Sequence, residues 1–340
     1  MQKFLVIQTA FIGDVVLATG LLEKLHSCYA DAQIDILVRN GNEALFTNHP
    51  YINEVLVWQK KTNKYKHLLQ ALQHIRSKNY DVVINAQRFA ATGFLTAFSN
   101  AKLTVGFNKN PFSFLFTQKI QHHFSNNISN TIHEVARNHS LIASFTDETF
   151  SKPKLYPSKA DYASVETYKQ QPYIVIAPTS VWFTKQFPAE KWIAFINTLP
   201  INYNIYLIGA PSDKLACDAI QQTVTHPNVT NLAGKLQFLQ SAALQQDAVM
   251  NYVNDSAPMH FASAVNAPTT AIYCSTLPSF GYGPLSDTSY IIEVEEKLSC
   301  RPCGIHGKKT CPLGHYNCAN NIKNEQLLGS LELNSIRINI

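Results

Sequence analysis

Short apolar runs alternate with longer amphipathic stretches along nearly the whole chain, and this alternation restricts the fold more than any other feature. In the first half, "FLVIQ", "QIDILV", "EVLVW" and "DVVIN" are separated by helix-like stretches such as "VVLATGLLEKLHSCY" and "YKHLLQALQHIRSK". Strand, helix, strand, helix in that order predicts a parallel sheet with helices on its faces. The pattern lapses over residues 150–171, "FSKPKLYPSKADYASVETYKQQ", which reads as a linker. It restarts with "YIVIAP", "PAEKWIAFINTL", "YNIYLIGAP", "SDKLACDAIQQTV", "LQFLQSAALQQ", "AVMNYVND", "APMHFASAV" and "PTTAIYC". The expected fold class is α/β, with two Rossmann-like, doubly wound domains, residues 1–160 and 161–340. A length of 340 residues is ample for two cores.

Composition narrows the class further. Hydrophobic residues make up 46% and charged residues only 15%, a globular profile and not a disordered one. The net charge of +5 is spread thinly without long basic runs, so nucleic acid is not an expected partner. Gln8, Gly13 and Asp14 interrupt the apolar start. A secretory core needs about 7 to 15 unbroken apolar residues and a membrane span about 18, so the expectation is a soluble cytoplasmic protein. Of seven cysteines, Cys28, Cys217 and Cys274 stand singly in apolar segments and read as buried thiols.

In such folds the chemistry gathers in loops that leave the carboxyl ends of strands. The first, "VIQTAFIGDVV", carries Gly13 and Asp14 into a helix start, where an acidic residue also complements the helix dipole. It lacks the Gly-x-Gly-x-x-Gly spacing of a dinucleotide site. The second, "VIAPTSVWFTKQFPAEKW", sets Thr179, Ser180 and Lys185 before a helix opened by Pro188, donors suited to a phosphate or diphosphate. "YLIGAPSDK" offers Gly209, a site for close backbone approach or an unusual dihedral, with Asp213 as a helix cap. "LAGKLQFLQ" offers Gly234 and Lys235. In "VNDSAPMHFASAV", Asp255 and Ser256 can cap the following helix while its free amides hold a phosphate; Ala257 and His260 fall in its first turn.

Taken in order, these segments resemble glycosyltransferase family 9, the ADP-heptose:lipopolysaccharide heptosyltransferases. "FLVIQTAFIGDVVLATGLLEKL" resembles the family's opening strand, Gly-Asp and helix, and "IAPTSVWFTKQFPAEKW" its Pro-Gly-x-x-x-x-x-Lys-Arg-Trp-Pro segment. "NLAGKLQFLQSAAL" resembles Leu-x-Gly-Lys-Thr-x-Leu, and "VNDSAPMHFASAVNAPTTAIY" resembles Asp-Ser-Gly-Pro-Met-His-Leu-Ala. The resemblance implies a GT-B architecture, two Rossmann-like domains facing across a cleft, with an inverting transfer that requires no metal cofactor. It implies an acceptor side on the amino-terminal domain, including Gly13, and a nucleotide-sugar donor on the carboxyl-terminal domain. Asp14 becomes the candidate base and Lys185 the cation for the departing diphosphate. Thr179, Ser180, Gly209, Gly234, Lys235, Asp255, Ser256, Ala257 and His260 become donor-side residues, with the Asp255 loop working through its amides. The implied acceptor is a lipid-linked oligosaccharide, reached by peripheral contact with the inner membrane at its cytoplasmic face. Other readings are a GT-B transferase of another nucleotide sugar, or a non-catalytic nucleotide-sugar-binding protein. Three departures bear on donor specificity: Ala257 in place of Gly, "APT" in place of Pro-Gly-Ala or Pro-Gly-Ser, and Gln186-Phe187 in place of Arg-Trp.

Two segments lie outside that pattern. Cys300, Cys303, Cys311 and Cys318, spaced Cys-x2-Cys-x7-Cys-x6-Cys, are candidates for a structural zinc; thiols packed without metal are the alternative. In "KLTVGFNKNPFSFLFTQKI", the alternation Phe112, Phe114, Phe116 predicts a strand or lid packed on the first domain, the alternative being a surface that meets lipid.

Overall fold

The computed structural model describes residues 1–123 and 131–338, with the chain divided into two compact units, Met1–Tyr156 and Pro157–Ile340. The division falls a few residues before the expected one. The reason is local: Ser158 caps the helix Lys159–Val165 through a reciprocal capping box with Asp161, so part of the expected linker is helical and begins the second unit.

The first unit holds six strands, β1 (Lys3–Ile7), β2 (Gln33–Arg39), β3 (Ile52–Trp58), β4 (Val82–Asn85), β5 (Leu103–Phe107) and β6 (Gln118–Ile120). They form one sheet in the order β3-β2-β1-β4-β5-β6, with every pairing parallel. The second unit repeats the scheme with β7 (Tyr173–Ala177), β8 (Asn204–Leu207), β9 (Val229–Asn231), β10 (Met250–Asn254), β11 (Thr269–Tyr273) and β12 (Ser289–Glu293), in the order β12-β11-β10-β7-β8-β9, again all parallel. The fold class read from the alternation is therefore the observed one. In each sheet the strand order reverses between the first and fourth strands of the unit. Open α/β sheets bind ligands outside the carboxyl ends at such a point.

Both faces of the second sheet are covered. Ile174 and Ile176 of β7 join one buried cluster with Trp192, Phe195 and Tyr252, while Tyr173, Val175 and Ala177 join another with Leu244, Met259 and Tyr273. A strand buried on both sides reads as a continuous apolar run, which is why these strands were recognisable. The first cluster also takes in Tyr316, Cys318, Leu327 and Leu331, so the residues after the cysteines and the helix Asn324–Ile338 belong to this core.

Two expectations change. Residues 112–116 are not a strand: they contain a 3₁₀ turn, Ser113–Leu115, with Phe116 buried and Phe114 71% exposed. The strands of that region lie on either side, where Thr104 and Thr117 exchange hydrogen bonds. Cys28 is exposed at the last position of the helix Ile12–Cys28, whereas Cys217 and Cys274 are buried as expected. Among the described residues, no helix is long and apolar enough to cross a membrane.

Candidate functional site

In the second unit, the loops after β7 and β10 flank the point where the strand order reverses. Lys185 ends the 3₁₀ turn Phe183–Lys185 and places its Nζ 2.7 Å from Oδ2 of Asp255, the residue that follows β10. The two side chains are only 14% and 9% exposed. The Thr276 hydroxyl, beyond the end of β11, donates to the same carboxylate oxygen at 2.7 Å. Asn254 binds the two loops together: its Oδ1 accepts from the Phe187 amide at 2.9 Å and its Nδ2 donates to the carbonyls of Ala177 and Thr179. Ser180 is tied in through its carbonyl, which accepts from Gln186 Nε2 at 2.7 Å. Lys185, Asp255, Thr179 and Ser180 thus converge on one strand-end site. Asn254 and Thr276 belong to it as well, and only the position of Asn254 next to Asp255 could have marked either in the sequence.

The expected capping by Asp255 and Ser256 is not found. Ser256 occupies the N-cap of the helix Ala257–Ala264 but makes no side-chain cap; its hydroxyl donates instead to the Asn254 carbonyl at 3.3 Å. The Asp255 carboxylate is drawn away by Lys185 and Thr276, where an ionic partner outcompetes an amide. Ala257 is the first residue of that helix, and His260 is buried in it. Gly209 and Gly234 come together, the Gly234 amide donating to the Gly209 carbonyl at 2.9 Å. The space beside Gly209 is taken by Asp213, whose carboxylate receives the Ala210 amide, so its close neighbour is this cap. Lys235 is exposed beside Gly234.

The cysteine-bearing segment abuts the same site. Thr184 donates its amide to the Lys308 carbonyl at 3.1 Å and accepts the Lys308 amide on Oγ1 at 2.7 Å. Cys300, Cys303, Cys311 and Cys318 line one cavity together with His315 and Lys308. Burial pushes the Cys303 and Cys318 thiols up, Cys318 to about 11. At Cys311 burial acts in the same direction but is outweighed by hydrogen bonds from the backbone amides of Tyr316, Leu313, Gly314 and His315, which hold this thiol below its ordinary range.

In the first unit, Gly13 and Asp14 lie in the first turn of the helix Ile12–Cys28, directly after β1, and both are partly buried. An acidic cluster partner comes from far along the chain. Glu134, buried at the start of the helix Glu134–His139, pairs with Arg137. Burial pushes the Glu134 carboxyl up to about 7 against the opposing pull of Arg137, and the charge of Asp14 adds to the rise. Only the Glu-x-x-Arg spacing, favourable on a helix, could have marked this pair in the sequence. At the end of β3, Lys60 donates to the Thr9 carbonyl at 2.5 Å; burial, then the nearby Arg39 and Lys64, lower its pKa to about 8.

Comparison with known proteins points to one family. The family model described as glycosyltransferase family 9 (heptosyltransferase) matches residues 68–317. Lipopolysaccharide heptosyltransferase 3 of Escherichia coli is 28% identical over 281 residues, covering 78% of this chain and 82% of its own. The crystal structure of a family 9 glycosyl transferase from Veillonella parvula matches with a TM-score of 0.86 at 21% identity, over 99% of this chain and 98% of the other. The E. coli ADP-heptose lps heptosyltransferase II matches with a TM-score of 0.79 at 20% identity over the full length of both chains. At these identities the two structures establish the fold.

Removing one member of a mostly buried ion pair strands the other. Lys185→Ala is expected to cost about 3 kcal/mol, and adding Asp255→Asn should restore most of it. Urea unfolding of the single and double variants checks this; equal losses in both would refute the coupling. Glu134 gives a pH prediction. Between the unfolded carboxyl value near 4.3 and its folded value, the native state holds the extra proton, so its contribution to stability falls as pH rises. The window runs from the ordinary carboxyl range to about 7. Glu134→Gln should lose this part of the slope when unfolding free energies are compared at mildly acidic and mildly alkaline pH.

Proposed function

The chain belongs to glycosyltransferase family 9, and from that premise we propose that it transfers a heptose from ADP-L-glycero-D-manno-heptose to an inner-core lipopolysaccharide acceptor, with inversion. The observation that carries this reading is Lys185, fixed by Asp255 at the strand-order reversal of the second sheet, beside a helix start that no side chain caps. A fixed ammonium and free helix amides are what a departing diphosphate needs. The names of relatives such as lipopolysaccharide heptosyltransferase 3 support the sugar and the acceptor class.

In the proposed reaction, Asp14 takes the proton of the acceptor hydroxyl as its oxygen attacks the anomeric carbon. The bond from that carbon to the diphosphate oxygen breaks, and the electron pair leaves with ADP. Lys185 offsets the charge gathering on the leaving group, assisted by Thr179, Ser180 and the amides from Ser256 onward. The glycine loops at Gly209 and Gly234, with Lys235 and His260, line the nucleotide side. The transfer itself uses no metal: a protein base and a protein cation supply the proton acceptor and the leaving-group stabiliser. Lys60 and Arg88 offer positive charge to an anionic acceptor on the first unit. Its exposed Phe89, Phe114 and Leu115 suit a lipid-linked one, presented at the cytoplasmic face of the membrane. A second reading, another nucleotide-sugar donor, is favoured by one feature: Ala257 adds a methyl group where the family pattern has Gly, at the first residue of the helix Ala257–Ala264.

Asp14→Asn should slow transfer by about 10² to 10⁴-fold while leaving ADP affinity unchanged. Near-normal turnover would remove Asp14 from its role. A panel of nucleotide sugars with core oligosaccharide acceptors, scored by nucleotide release, separates the two donors: faster release from a sugar other than ADP-heptose establishes the second reading.

A further inference from the structure

The segment 300–318 grips the Lys185 turn from several directions. Besides the two hydrogen bonds between Thr184 and Lys308, the Tyr316 hydroxyl donates to the Phe183 carbonyl at 3.0 Å and to the Gln186 carbonyl, and the Tyr316 ring stacks on Phe183. The Cys303 amide donates to the Ser275 carbonyl at 2.9 Å, and Arg301 donates to the carbonyls of Tyr273, Cys274 and Thr276. Gly307 has a φ of +76°, and a Cβ there would sit 3.0 Å from both Lys185 Cγ and Thr184 Oγ1, so the backbone rests against the lysine stem. Yet residues 300–315 contain no helix or strand to hold them in shape. A segment with so little structure of its own positions a side chain poorly unless something closes it.

Four thiols on one cavity supply the means. Their Cys-x2-Cys and Cys-x6-Cys halves are joined by only seven residues, and turns follow two of them, with Gly304 and Gly314 in left-handed backbone. Cys318 is anchored in the core, while the other three are partly exposed and have room to turn. Among the described residues, no three metal-ligating side chains are drawn together at bonding distance, so an ion would have to gather them by side-chain rotation.

We propose that Cys300, Cys303, Cys311 and Cys318 bind one thiophilic divalent ion, zinc or ferrous iron, and that this ion closes the segment that fixes Lys185. Each thiol gives up its proton on ligation, so about four protons leave for each ion bound, and the resulting negative site is offset by Lys308 and Arg301. The ion takes no part in the proposed proton transfer and acts on Lys185 only through the backbone of residues 183–186. The consequence for donor affinity rests on the proposed role of Lys185; the metal site and the bracing of the turn do not.

The full chain, purified from metal-supplemented growth without chelator, should carry about one equivalent of zinc or iron by elemental analysis. The element found decides between the two ions. Stripping with a chelator should speed amide hydrogen exchange across residues 183–186 by about tenfold or more and weaken ADP binding by a similar factor, both restored by the lost ion alone. Cys300→Ser with Cys303→Ser should abolish the metal, and Cys28→Ser should leave it in place. If the double variant fails to fold, the chelated wild-type chain gives the same comparison. Under about 0.2 equivalents of metal, or metal whose removal leaves exchange at 183–186 unchanged, overturns the proposal. Should the loaded chain not bind ADP while metal content and exchange behave as stated, the donor assignment fails and the metal-braced turn stands.

Discussion

A parallel sheet covered on both faces has no surface on which to place polar chemistry, so that chemistry must lie beyond its strand ends. Both sheets obey this constraint. Successive residues of β7 enter opposite apolar clusters, and the first polar side chains able to act stand just after the strand. The strand order then selects among the ends. With β7 beside β10, and β1 beside β4, the loops on either side diverge and leave a crevice. Lys185 and Asp255 stand in the segments after β7 and β10, and Asp14 in the first helical turn after β1.

The ion pair between Lys185 and Asp255 resolves a conflict inherent in the site. A lone ammonium held largely out of water would be costly, and a lone carboxylate beside an anionic ligand would repel it. Paired, each offsets the burial of the other, and the lysine is held in one geometry before a ligand arrives. Thr276 keeps the carboxylate oxygen occupied from the other side, and Asn254 fixes the backbone of both loops at once. The carboxylate therefore orients the cation.

How far the sequence disclosed this follows from how local each signal is. Strands buried on both faces announced themselves as apolar runs, and the helices between them by amphipathic periodicity. Strands of three to five residues at the sheet edges, such as β6 and β9, carry too few apolar positions to stand out. The Phe112, Phe114, Phe116 alternation mimicked a strand because a 3₁₀ turn also separates neighbouring side chains, and only tertiary contact decides which ring is buried. Asp255 lies, as expected, just after a strand, but its partner is not its own helix. A carboxylate next to a helix start looks like a cap until a lysine 70 residues earlier in the chain is brought within 2.7 Å of it. Glu134 was missed for the same reason, since nothing near it in sequence reports Asp14.

The two units handle buried charge in opposite ways. In the second, Lys185 is matched by a full countercharge, the Asp255 carboxylate at 2.7 Å. In the first, Glu134 has Arg137 beside it, yet burial and the neighbouring Asp14 outweigh that attraction, and the carboxyl keeps its proton to about 7. A group meant to accept a proton gains from a neighbour whose charge responds to pH near neutrality, whereas a group meant to stabilise a leaving diphosphate gains from one whose charge does not change. The proposed base, Asp14, has the pH-responsive Glu134 beside it, and the proposed leaving-group cation, Lys185, has a carboxylate held by two partners.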